Sequence, residues 1–146
     1  MKLLAYVMLL GICSSVAALG SSPSLAQLAS GERLRIAYHS QGCFHERQYD
    51  IEFQGGASVT ARSGSHTVTL SPQQVAGLDR LFAFYRSRPR GGCTTVDTIT
   101  ITRFRSSERV SSEKFVDDSC ATYQMTDVTR LSEIAKQLGL QHDTKT

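Results

Sequence analysis

His39, Cys43 and His45 crowd into the short stretch AYHSQGCFHER, residues 37–47. Imidazole nitrogen and thiolate sulfur are donors that suit Zn²⁺ and copper, and three protein ligands with one open position is the pattern of a catalytic zinc centre. In an extended chain the three residues share parity, so their side chains would fall on one face. Against this, Gly42 interrupts the extended geometry, and H-x3-C-x-H has no established metal specificity. His66 and Asp117 could supply a further ligand only through the fold. Zn or Cu at His39, Cys43 and His45 is therefore the alternative expectation. The leading one is a loop between two strands with solvent-facing histidines and no cofactor.

Cys43 alone offers a second chemistry, as a redox or nucleophilic thiol whose pKa His45 or Arg47 would lower. Such a nucleophile needs a histidine base oriented by Asn or Asp. The chain contains aspartates but no asparagine, and no C-x-x-C. G-x-S-x-G, H-E-x-x-H and a glycine-rich phosphate loop are also missing. Asp50 and Glu52 fall on the solvent side of their strand, and Asp117-Asp118 reads as a turn at a strand end. These residues point toward binding and away from catalysis.

The N-terminus sets the compartment. Lys2 precedes LLAYVMLLGIC, residues 3–13, an apolar run of secretory length and too short to span a bilayer. Ser24-Leu25-Ala26 has the small-x-small pattern of a signal-peptidase site. The expectation is a signal peptide over 1–26 and one domain over 27–146, with 28–31 and 141–146 flexible. The alternative is a lipoprotein acylated at Cys13, disfavoured by the bulky Ile12 before it. Either route exports the protein to the periplasm or beyond. Removing Lys2 from 16 Lys+Arg leaves 15 against 13 Asp+Glu, a net charge of +2. That balance gives no electrostatic footprint for nucleic acid.

An oxidising compartment makes disulfides the expectation for Cys43, Cys93 and Cys120, and three is an odd number. Residues 94–104 and 109–117 read as a hairpin. With Phe104 opposite Arg109, a regular register brings Cys93 opposite Cys120. A bridge closing that loop is worth about 3–4 kcal/mol. Cys43 is then left as a free thiol or as the link of a covalent dimer; the alternative expectation pairs Cys43 with Cys93 or Cys120.

The elements that position these groups follow from periodicity. Residues 32–39 alternate Leu34, Ile36 and Tyr38 against Arg33, Arg35 and His39, and residues 48–53 alternate Tyr49, Ile51 and Phe53 against polar neighbours. Gly55-Gly56 predicts a tight positive-φ hairpin into 57–61, and Ser63-Gly64 a turn into 66–70. Ser71-Pro72-Gln73-Gln74 is a capping box opening a helix with Val75, Leu78, Leu81, Phe82 and Tyr85 inward, ended by Pro89 and Gly91-Gly92. A last helix opens at Asp127 and closes at Gly139. The order ββββ-α-ββ-α predicts an α+β fold, an antiparallel sheet packed with two helices.

Arg80, Arg86, Arg88 and Arg90 gather near the first helix's C-terminus, where cations complement the dipole. Their second reading is a surface for an anionic partner, such as an acidic protein, lipopolysaccharide or polysaccharide, which Arg33 and Arg35 would extend. The whole reads as an exported, disulfide-stabilised binding or inhibitor-like accessory protein of the envelope or extracellular space.

Overall fold

The structure, a computed structural model, describes residues 23–43, 46–119 and 126–140, with side chains left aside at 126–130. Six strands form one antiparallel sheet in the order β4-β3-β2-β1-β5-β6. They are β1 (Glu32–Gln41), β2 (Glu46–Gln54), β3 (Thr60–Ser63), β4 (His66–Thr69), β5 (Val96–Arg105) and β6 (Glu108–Asp117), with α1 (Pro72–Arg86) and α2 (Thr126–Gln137) completing the chain order expected. No helix among the described residues is long and apolar enough to cross a membrane.

Alternation decides the faces. Leu34, Ile36 and Tyr38 from β1, Ile51 and Phe53 from β2, and Ile99 and Ile101 from β5 point into one core. There they meet Leu78, Leu81, Phe82 and Tyr85 of α1 and Leu131, Ile134 and Leu138 of α2. Both helices cover this face and leave the other open. Tyr38 and Tyr49, opposite each other on β1 and β2, stack with ring centroids 5.6 Å apart.

The capping box at α1 forms as read. Ser71 Oγ accepts from Gln74 N–H, and Ser71 N–H donates 2.8 Å to Gln74 Oε1. The helix stops at Arg86, before the expected Pro89. Ser87 donates to the last-turn carbonyls, and Arg88 takes a left-handed φ of 54° while donating to Tyr85 O. At the end of α2, Gly139 (φ 73°) donates to Lys136 O and Leu140 to Ala135 O, the paired bonds of a Schellman motif.

Two local expectations are corrected. Gly55-Gly56 does not make a tight positive-φ turn. The connection runs from 55 to 59, and β3 starts at Thr60. Gly55 is needed for close approach instead, since a Cβ there would lie 2.3 Å from Ala29 O. In the second hairpin, Phe104 does face Arg109, but a bulge then shifts the register by one. Arg103 faces Ser111, and Asp97 faces Asp117. The extra residue is Val110, and the regular register that placed Cys93 opposite Cys120 does not continue. Cys93 N–H donates to Asp118 O at 2.8 Å. Cys93 is disulfide-bonded and Cys43 is free and exposed; Cys120, with the expected Cys93–Cys120 pairing, lies outside the described residues.

The chain before β1 is part of the fold. Leu25 is fully buried and Leu28 nearly so. Asp79 of α1 accepts from Leu25 N–H at 2.7 Å, Ala26 N–H at 3.0 Å and Ser24 Oγ at 2.8 Å.

Candidate functional site

The open face of the sheet is built by the residues that alternate with the core set. Arg33, Arg35, Ala37 and His39 come from β1, with Asp50 and Glu52 from β2. Thr98, Thr100, Thr102 and Phe104 come from β5, and Arg109, Ser112 and Lys114 from β6. Threonine is a good residue for such a face, because its β-branch favours the extended chain while its hydroxyl stays solvated. Ala37 sits opposite Thr100, so two small side chains meet at mid-sheet and leave a depression. That open groove of about 470 Å³ is lined by Arg35, Ala37, Thr100, Thr102, Phe104 and Arg109. Arg35 also borders a second, smaller groove toward the β3–β4 turn, lined by Asp50, Glu52, Arg62, Ser63 and Gly64.

Charges on this face are partly matched. Arg35 holds Asp50 in a two-pronged contact, with Nε to Oδ1 at 2.9 Å. Arg33 pairs with Glu52 at 3.1 Å, donates to Ser106 O and lies 5.5 Å over the Phe104 ring. The exposed Arg35–Asp50 pair contributes little to stability and chiefly holds its side chains in place, while Arg33–Glu52 is part-buried. Arg62, Arg109 and Lys114 are exposed and form no ion pair among the described residues. The face therefore offers hydroxyls, one aromatic ring and uncompensated positive charge.

The expected trio is not assembled. His39 Nε2 lies 3.1 Å from Glu46 Oε1 across the hairpin. Cys43 is exposed in the loop after β1, and His45 lies outside the described residues. Among the described residues no group of three or more His, Cys, Asp or Glu could hold a metal ion.

The arginine cluster divides as well. Arg86 is drawn inward, where its Nε donates to Glu113 at 3.0 Å and a terminal nitrogen donates 2.6 Å to Pro23 O. Arg33 and Arg35 serve carboxylates of their own sheet. Arg80, Arg88 and Arg90 stay on the surface, Arg88 with the left-handed backbone that closes α1.

A buried acidic row was not evident from sequence. Ser40, Asp97 and Asp117 lie side by side across β1, β5 and β6 on the core face, each at most 3% exposed. Asp117 Oδ1 accepts from Ser119 N–H at 2.8 Å, and Asp118 Oδ1 accepts from Gly91 N–H at 2.9 Å, which fastens 91–93 to the end of β6. Asp97 Oδ1 has no hydrogen-bond partner among the described residues. Like charges directly opposite on neighbouring strands disfavour folding by up to about 1 kcal/mol. Asp97→Asn is therefore expected to stabilise the protein by about 1 kcal/mol, read as a higher urea midpoint; a lower midpoint would contradict it.

In comparisons with protein families, curated proteins and solved structures, nothing matches this chain.

Proposed function

We propose that the protein is an exported, disulfide-stabilised binding domain whose open sheet face receives an anionic polymer of the cell envelope. The observation that carries this reading is the placement of both helices on one side. It leaves a flat face in which the Ala37–Thr100 groove is flanked by Arg35 and Arg109, with Arg62 and Lys114 beyond. Hydroxyl side chains along β5 can hydrogen-bond sugar or backbone oxygens. Guanidinium groups meet carboxylate or phosphate in a fork geometry, and Phe104 offers an apolar surface for a ring. A shallow, open groove with few convergent polar groups fits an extended ligand better than an enclosed small substrate. Binding, and no reaction, is the role proposed.

Alginate, a polyuronate, is a suitable probe, with neutral dextran as the control. Binding to alginate should weaken as salt rises. In the double variant Arg62→Glu/Arg109→Glu it should fall roughly tenfold, a loss of about 1.4 kcal/mol. Binding lost instead in Arg88→Glu/Arg90→Glu would move the site to the end of α1. Equal binding to dextran, or none to alginate, would refute the anionic reading.

A further inference from the structure

We propose that the signal peptide ends upstream of Pro23, with cleavage after Gly20, and that Ser24-Leu25-Ala26 is retained as a structural clasp. The inference rests on the export reading above, and its physical basis is the environment of residues 23–29.

Leu25 is fully buried among the core side chains, and Leu28 is 8% exposed. One carboxylate, Asp79 on α1, collects three hydrogen bonds from Ser24, Leu25 and Ala26 at 2.7–3.0 Å. Leu28 N–H then donates to Leu25 O, making a local turn. Pro23 O accepts from Arg86, which is itself held by Glu113 of β6. On the far side, Gly55 sits so close to Leu28 and Ala29 that a Cβ would strike their carbonyl oxygens. The segment is thus fastened to α1, to β6 through Arg86, and to the chain after β2.

Cutting after Ala26 would remove Leu25 from the core and take all three donors from Asp79. The part-buried carboxylate would be left to find water, which disfavours the folded state. The sequence holds another site that avoids this loss. Ala18-Leu19-Gly20 is also small-x-small, and it lies seven residues past the end of the apolar run at Cys13, against thirteen for Ala26. A 20-residue leader falls within the usual length of about 15–30. The mature chain would begin at Ser21 and reach the first clasp residue three positions later.

The test is to express the full chain in an export-competent bacterium, recover the periplasmic fraction and measure intact mass. A mass starting at Ser21 is expected. Leu25→Ala in the same full chain should then lower the melting temperature of the exported product by about 10 °C. A product starting at Gln27, or a melting temperature unchanged by Leu25→Ala, would overturn the clasp. A mass starting at Cys13 with added acyl chains would overturn cleavage after Gly20. An unprocessed chain confined to the cytoplasm would overturn the export reading itself, and its full-length mass separates that result from the others. The wild-type mass decides the cleavage position even if the variant fails to fold.

Discussion

Gly55→Ala is expected to destabilise the protein by about 3 kcal/mol, at the upper end of what one inserted methyl group costs in a packed site. Room is the whole argument. An added Cβ would lie 2.3 Å from Ala29 O and 2.5 Å from Leu28 O, both backbone atoms that cannot swing aside. Gly55 N–H also donates to Glu32 O at 3.0 Å, so a shift of the glycine breaks a bond at the start of β1. Either the 28–29 turn moves and drags Leu25 and Leu28 from the core, or the end of β2 moves away from β1. Urea unfolding of the two proteins would show it, with the midpoint falling and the slope unchanged. Gly56→Ala is the matched control, because the nearest atom to a Cβ there is Ser58 O at 3.5 Å, ordinary contact. Equal midpoints for Gly55→Ala and wild type would remove close approach as the reason for this glycine.

Glu32→Gln is expected to lower stability by a similar amount, about 3 kcal/mol. Glu32 is 4% exposed and opens β1 on the core side. Its carboxylate accepts from Arg103 at 2.6 Å, from Arg105 Nε at 3.1 Å and from Ala29 N–H at 3.2 Å. Arg105 is two-thirds exposed and contributes little through solvent. Arg103 is four-fifths buried, and its Nε has no partner among the described residues. Removing the carboxylate charge leaves that guanidinium buried without its counter-ion, the costly half of breaking a buried pair.

The same contacts set a pH dependence. The hydrogen bond from Arg103 outweighs the opposing effect of burial and holds the Glu32 carboxyl below the ordinary glutamate range. In the unfolded chain the group titrates near pH 4.3. Between those two values the unfolded state binds more protons than the folded one, so stability rises with pH there. The contribution is complete above the unfolded value and disappears as pH falls through the folded one. Unfolding midpoints followed from about pH 7 to pH 3 should therefore fall more steeply for wild type than for Glu32→Gln. Parallel curves would assign the acid sensitivity to other carboxylates.

Much of the architecture was legible because binary patterning and caps are local signals. Leu34, Ile36 and Tyr38 alternate with charged residues, so β1 could be placed and its faces assigned without knowing its neighbours. Ser71-Pro72-Gln73-Gln74 carried the start of α1 by itself. The bulge at Val110 was not readable, since no glycine or proline marks it. Once it shifts the register, Asp117 faces Asp97 and becomes buried, where the sequence suggested a turn at a strand end. Glu32 was hidden for a related reason: its partners Arg103 and Arg105 are more than seventy positions away. The grooves depend on which small residues meet across strands, Ala37 with Thr100, a relation that only the pairing of β1 with β5 creates. Ser24-Leu25-Ala26 carries two signals at once, because small residues around a leucine satisfy both a peptidase motif and a turn that inserts one side chain into a core.

The bulge also bears on how the molecule stays separate from its neighbours. β6 is a sheet edge of ten residues, long enough to recruit an extended strand from another chain. Val110 breaks the even spacing of its outward N–H and C=O groups near the hairpin tip, and Arg109 and Lys114 place charge on either side of the break. A second copy laid along this edge would match its ladder for only part of its length and would bring like charges together. At the opposite edge β4 has four residues, too few to hold a partner strand firmly. An open sheet face thus coexists with two edges poorly suited to fibril growth.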